Sequence, residues 1–330
     1  MSRWAIGIDL GGTAIKAAAV GLGSGILIES RAPTDTASGP VGIVGQLATI
    51  IADLYREASM IVGPDDFAGV GVGAPGAVDS GKGILSYPPN LPGWTIYPLR
   101  DELQKCLREK HELLIPVFLD NDANVAAFGE AVYGAGREYR DFLMVTLGTG
   151  VGGGIVLERK IYRGAHGTAG EVGFMILDFE GPTVHAGIRG TLESLIGKKA
   201  IIALALRMID ASSSGSSVGK LCDNDYTRLS PRHLEQAALA GDEVSLALWQ
   251  RVGSILGVGL VNVVALMDIR KFVIGGGIAG AGELVFASAR VQLKRSIHPS
   301  MYEGVELVPA LLGNKAGMNG AAALCFGEPS

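Results

Sequence analysis

Cysteine is scarce: Cys106, Cys222 and Cys325 are the three in 330 residues, and no two lie close in sequence. An odd, scattered set does not make a disulfide framework and suits a reducing compartment, so a cytoplasmic location is expected. No run of about 20 apolar residues is free of both glycine and charge, which argues against a membrane span. The opening Ala5-Ile6-Gly7-Ile8 is too short an apolar run for a secretory signal, and Asp9 ends it. Basic residues are not in excess either. Lys and Arg number 28 against 33 Asp and Glu, a formal net charge of −5 with both signs mixed along the chain. A protein that grips nucleic acid by bulk charge is therefore not expected.

Glycine, by contrast, is abundant at 49 residues, about twice the usual share of roughly 7%. The glycines follow no three-residue period. They cluster after short apolar runs, where a backbone without side chains can turn and approach a ligand. Hydrophobic residues make up 48% of the chain, ample for buried cores, and the length suggests two domains.

Short strands and helices alternate along the sequence, which predicts an α/β protein. Strands are predicted at Ala5–Leu10 and Ile15–Val20 around a Gly11-Gly12 turn, at Phe67–Val72, and at Ile115–Leu119. Pro40 opens an amphipathic helix over 40–60 that carries Ile43, Leu47, Ile50, Ile51 and Leu54. An Ala-rich helix follows from Val125 to Val132. Residues 142–157 repeat the strand, Gly/Thr turn, strand plan of residues 5–20, which suggests two domains of related design. Residues 211–219 read as a flexible surface loop and His233 to Asp268 mainly as helix. Lys271–Ile274 reads as a strand, with Gly275-Gly276-Gly277 and a helix to about Arg295 after it.

Two constellations carry chemistry. In Asp9-Leu10-Gly11-Gly12-Thr13, a carboxylate at a strand end can hold Mg²⁺ directly or through water, two glycines admit phosphate oxygens to the backbone, and Thr13 adds a hydroxyl. Gly148-Thr149-Gly150 in the matching hairpin would let two loops clamp a polyphosphate. In Asp120-Asn121-Asp122, polar groups stand at the carboxyl end of a strand before a helix, where open α/β sheets place ligands. One carboxylate there can take a hydroxyl proton, although Asp and Asn are also ordinary helix caps. Three glycine-rich stretches resemble nucleotide fingerprints. Pro75 and Asp79-Ser80-Gly81 forbid the helix that Gly71 to Gly76 would need, and Gly83 stands where a phosphate loop from Gly76 would need Ser or Thr. Gly275 to Gly280 follows a strand and precedes a helix, so it suits either a nucleotide or tight helix–strand packing.

Taken in order, Asp9-Leu10-Gly11-Gly12-Thr13, Pro89-Asn90-Leu91-Pro92-Gly93-Trp94, Asn121-Asp122-Ala123-Asn124, Gly148 to Gly154 and Gly170-Glu171-Val172-Gly173 resemble the ROK family of sugar kinases and repressors. The resemblance implies two ribonuclease H-like domains of the actin/hexokinase ATPase type with a cleft between them. The expected division is 1–119, joined by a C-terminal helix 314–330, and 120–313. It also implies attack of a hexose 6-hydroxyl on the γ-phosphate of ATP with Mg²⁺. Asp122 matches the family's catalytic base, and Asn90, Asn121, Glu171 and Glu193 match positions that hold sugar hydroxyls. Asp9, Gly11, Gly12, Thr13, Lys16, Gly148, Thr149, Gly150, Gly276 and Gly277 match the nucleotide and metal side. Zinc-bearing members carry a His where Phe174 stands here, followed by a Cys-rich cluster. The stretch His185 to Glu193 has no cysteine, and His166 and His185 alone cannot complete a four-ligand site, so no structural zinc is expected. His185 is expected to be a loop residue.

The Asn-Leu-Pro-Gly-Trp stretch looks most like that of glucokinases. Glucose is therefore the first candidate, with fructose, mannose, allose or an N-acetylhexosamine as alternatives, and the phosphoryl donor ATP, another nucleotide or polyphosphate. A homodimer is implied, with helix faces such as 246–266 as candidate contacts. A sugar-sensing repressor would need a DNA-binding module, usually N-terminal. With the first strand starting at residue 5, no room for one is expected. A nicotinamide-dependent oxidoreductase using Gly275 to Gly280 lacks a following strand and acid.

Overall fold

The computed structural model describes residues 3–183, 187–213 and 215–327. The chain divides into two compact units, Met1–Asp141 with Gly154–Gly170 and Leu311–Ser330, and Phe142–Gly153 with Glu171–Ala310. The first unit thus includes residues 120–141, beyond the division after 119 expected from sequence.

In the first unit, β1 (Trp4–Leu10), β2 (Ala14–Gly21) and β3 (Gly25–Pro33) form an antiparallel meander, and α1 (Gly39–Val62) crosses to β4 (Phe67–Ala74), parallel to β1. A small sheet of β5 (Ala77–Asp79), β6 (Ile84–Ser86) and β7 (Ile96–Tyr97) follows. Then α2 (Leu99–His111) leads to β8 (Val117–Asn121), parallel to β4, and directly into α3 (Asp122–Tyr133). The main sheet has the order β3-β2-β1-β4-β8. Its core is aliphatic, with Ile6, Ile8, Leu10 and Val72 packed on Ile43, Leu47 and Ile51 of α1.

Beyond α3 come β9 (Phe142–Leu147), β10 (Val151–Leu157) and β11 (Lys160–Ile161). Helices α4 (Leu192–Ile196), α5 (Lys198–Ala211), α6 (Val218–Leu221), α7 (Pro231–Leu239) and α8 (Glu243–Met267) precede β12 (Lys271–Gly275). The chain continues through α9 (Glu283–Ser296), α10 (Pro299–Tyr302) and β13 (Glu306–Pro309) to α11 (Ala316–Leu324). The second sheet has the order β11-β10-β9-β12-β13, with β12 parallel to both β9 and β13. Position by position, this is the order of the first sheet, so the plan repeats well beyond the two hairpins.

Two sequence expectations change, and the mainly helical stretch 233–268 is borne out with a break in it. Residues 211–219 are not merely a flexible surface loop: Asp242 Oδ2 accepts from Ser217 N at 2.6 Å and Ser216 Oγ at 2.9 Å, and Val218 is fully buried. The helical stretch 233–268 is two helices, because Gly241 takes a φ of +88° and Asp242 caps α8 by accepting from Ser245 N at 2.8 Å. Burial alone would raise the Asp242 carboxyl. The donors from Ser217, Ser245 and Ser216 outweigh it and hold the group below its usual range. Among the described residues the C-terminal helix expected over 314–330 covers Ala316–Leu324, and residues 328–330 lie outside the described residues.

The stretch Thr36–Val62 and α8 are each long and apolar enough to cross a bilayer. In this fold they are core helices. Ile43, Leu47 and Ile51 of α1 are fully buried, as are Leu248, Val252 and Leu256 of α8. Helix α8 also meets α9 at backbone distance, since a Cβ on Gly257 would lie 2.6 Å from the Ala289 carbonyl oxygen. Leu266 is the one large, strongly exposed apolar side chain among the described residues of α8.

Candidate active site

In the first unit the β1–β2 hairpin is closed by Gly11 N donating to Ala14 O at 3.1 Å, and Thr34 Oγ1 ties its tip down through Gly11 O at 2.6 Å. Asp9 pairs with Lys16 directly across the ladder, Nζ to Oδ2 at 2.8 Å. Among the described residues no hydrogen bond reaches Asp9 Oδ1. A cation such as Mg²⁺, which needs one or two carboxylates and keeps several waters, fits this oxygen. Gly12 is packed against another part of the unit, for a Cβ there would stand 2.6 Å from Asn90 Cβ and 2.8 Å from Asn90 O. Asn90 is exposed with a left-handed backbone (φ +65°), in a loop held by buried Leu91 and Trp94, the latter 4.9 Å from Tyr97 between ring centroids.

At the β8–α3 junction, Asn121 is the cap foreseen as an alternative. Its Oδ1 accepts from Ala123 N at 2.8 Å and Asn124 N at 3.2 Å, while Nδ2 donates to Gly76 O at 3.0 Å. Asp122 occupies the first turn of α3, half-buried, its Oδ1 accepting from Ala123 N at 2.9 Å. The helix N-terminus favours its negative charge. Asp120 is buried and fully engaged, by Asn121 N, by Asn124 Nδ2 and by Arg163 Nε at 2.7 Å.

In the second unit the β9–β10 hairpin is closed by Gly148 N donating to Gly150 O at 2.9 Å. Glu193, in the first turn of α4, braces this hairpin by accepting from Val151 N at 2.9 Å. A side chain on Gly150 would collide with the same carboxylate. Gly276 (φ +88°) lets the chain after β12 turn back on β9, where Ile278 N donates to Leu147 O at 3.0 Å. Gly148 and Gly277 face open space, with nothing within 4 Å of the position of a Cβ.

Glu171 keeps contact with solvent, yet loss of hydration raises its carboxyl above the usual range, and the negative charge of Glu193 adds to the effect. Folded Glu171 therefore holds its proton to higher pH than unfolded Glu171. Stability conferred by that proton is present below the ordinary value of 4.5 and is lost as pH rises through the raised one. Glu171→Gln is expected to raise Tm at neutral pH, with the gain disappearing below pH 4.5. A gain that does not depend on pH would contradict this electrostatic account.

Residues 5–328 match the model of the ROK family. The chain belongs to the ROK family. A glucokinase of Thermotoga maritima is 33% identical over 319 residues, covering 97% of this chain and 96% of its own. The crystal structure of a ROK family glucokinase from Streptomyces griseus, in complex with glucose and AMPPNP, superimposes with a TM-score of 0.80 at 32% identity, covering 97% and 98% of the two chains. A xylose repressor of Bacillus spizizenii is 27% identical, with 95% of this chain matching 74% of the repressor.

Within this ROK protein the residues singled out by sequence fall into two local groups. Asp9, Gly11, Gly12, Thr13, Lys16, Asn90, Asn121 and Asp122 share the first unit, and Gly148, Thr149, Gly150, Glu171, Glu193, Gly276 and Gly277 share the second. His166 is exposed, and His185 lies outside the described residues. Among the described residues, no group of three or more His, Cys, Asp and Glu side chains could hold a metal ion together. Two residues were missed. Arg163 pairs with Asp120 across 43 positions, a separation at which sequence gives no signal. Glu130 is fully buried in an Ala-rich helix, and a lone acid among apolar neighbours was the available clue.

Proposed function

We propose that this ROK protein is an ATP-dependent hexose kinase that phosphorylates the 6-hydroxyl, with glucose first among its substrates. The observation that carries the reading is Asp122, a carboxylate held in the first turn of α3 at the end of β8, in the unit that also holds the Asp9–Thr13 hairpin and Asn90. The likeness to a glucokinase structure that contains glucose and AMPPNP supports it.

Asp122 accepts the proton of the 6-hydroxyl as that oxygen bonds to the γ-phosphorus and the bond to the β-phosphate oxygen breaks. Asn90, Asn121, Glu171 and Glu193 bind the other sugar hydroxyls. Groups fixed to meet each hydroxyl reject analogues that lack one, because a buried polar partner is then left unpaired. Gly11, Gly12, Thr13 and Lys16 serve the phosphates, as do Gly148, Thr149 and Gly150, while Gly276 and Gly277 leave a backbone surface for the nucleoside. Asp9 would hold Mg²⁺, which would neutralise phosphate charge when bound. The reading includes a cytoplasmic homodimer working in hexose breakdown.

The test is an ADP-release assay of the full chain with Mg-ATP over glucose, fructose, mannose, allose and N-acetylhexosamines. Glucose is expected to give the highest kcat/KM, with glucose 6-phosphate as product. Release of ADP that no hexose stimulates would remove the kinase reading.

A further inference from the structure

We infer that Arg163 is a positioning residue for Asp122, acting through the buried carboxylate of Asp120. The inference rests on the proposed base role of Asp122. Asp120 is the penultimate residue of β8, and its side chain is only 3% exposed. Its Oδ1 accepts from Asn121 N at 2.8 Å and from Asn124 Nδ2 at 2.9 Å, and Oδ2 accepts from Arg163 Nε at 2.7 Å. The residue before Asp122 and the residue two after it are thus fastened to one carboxylate. That carboxylate is costly to bury without a cation, and Arg163 is the cation that meets its Oδ2. Asn121 in turn caps α3 and donates to Gly76 O, so the turn that aims Asp122 is held from both sides.

A second effect is electrostatic. An arginine stays charged at any working pH, and a cation close to a general base favours its ionised form. The charged groups on the elements around Asp122 are few. On β8 there is Asp120, and farther along α3 there is Glu130, bound to backbone N–H groups. Lys160 lies in β11, and Arg137 and Glu138 lie in the turn after α3. Lys16 is paired with Asp9, and Lys315, just before α11, is paired with Glu29. Neither β4 nor α11 contributes a charge. Arg163 is a cation joined by a hydrogen bond to Asp120 at the β8–α3 junction.

The test compares the full chain with Arg163→Gln, Arg163→Lys and Asp122→Asn, measuring kcat and the hexose KM from pH 4.5 to 9 together with Tm. Arg163→Gln is expected to lower kcat at pH 7 about tenfold with KM within about twofold, and to move the acid limb of the kcat profile toward neutrality by about one pH unit. Arg163→Lys keeps the charge without the planar donor. It is expected to leave the acid limb in place and lose kcat severalfold. A lower Tm for Arg163→Gln with kcat and the acid limb unchanged would make Arg163 purely structural and overturn the inference. Should Arg163→Gln not fold, Arg163→Lys decides: unchanged kcat, or a loss carried by KM alone, overturns it. Asp122→Asn separates the two readings. If that variant keeps turnover and the acid limb, the base role fails and the inference with it. If it abolishes turnover while Arg163→Gln leaves kcat and the acid limb alone, only the role of Arg163 fails.

Discussion

Asp122→Asn is expected to lower hexose turnover by about 10³-fold, within the range that loss of a general base produces. Hexose affinity should stay within a few-fold of the parent, because the amide has the same size and can still hydrogen-bond a hydroxyl. The fold should survive as well. Asn121, not Asp122, caps α3, and the lost interaction between the Asp122 charge and the helix N-terminus costs only about 0.5 kcal/mol. Measuring kcat by ADP release, hexose binding by calorimetry and Tm by circular dichroism separates these three effects. Turnover near that of the parent would remove Asp122 from the base role. Weakened binding with unchanged kcat would instead make it a sugar ligand only.

The largest expected effect on stability belongs to a residue remote from that chemistry. Glu130 is completely buried near the C-terminal end of α3. Its Oε2 accepts from Ala135 N at 2.7 Å and Leu311 N at 3.2 Å, and its Oε1 accepts from Leu312 N at 2.8 Å. One carboxylate therefore satisfies three backbone donors from the two segments that flank α3 and α11. Glu130→Ala removes the acceptor and leaves those N–H groups dry, at a cost of about 3–5 kcal/mol. Glu130→Gln keeps one carbonyl oxygen but points an NH₂ at a backbone donor, and is expected to cost about half as much. Denaturant midpoints of the two variants check this. A loss below about 1 kcal/mol for Glu130→Ala would show that water replaces the carboxylate without difficulty.

Much of this was legible in the sequence because the informative residues are local. Asp9 to Thr13 and Gly148 to Gly150 sit between apolar runs of strand length, and both form hairpins. Pro40 opens α1 as expected, and of its predicted stripe Ile43, Leu47, Ile51 and Leu54 are buried while Ile50 is half-buried. Phe67–Val72 belongs to β4, and Pro75 ends the resemblance to a dinucleotide site because β5, not a helix, follows. What was not legible depends on partners distant in sequence. The break between α7 and α8 turns on Asp242, whose value lies in gripping Ser216 and Ser217 some 25 positions earlier. Glu193 matched a sugar ligand by position, while its engagement with the Val151 N–H shows only in three dimensions. The short strands β5, β6 and β7 have too few residues for any alternation to register.

The last helix meets the first sheet at backbone distance at two glycines of the sheet. A methyl group on Gly7 would overlap the Met318 carbonyl and one on Gly71 the Ala321 carbonyl, while one on Gly320 of the same helix would overlap the Val125 carbonyl of α3. The sheet begun at Trp4 thus stays without its covering layer until the residues around 316–324 have been made. A ribosome releases those residues only after the segments of the second unit have emerged. Of the two units, the one begun earlier is completed later, and the nascent chain must carry one sheet face without its helix while the other unit is made.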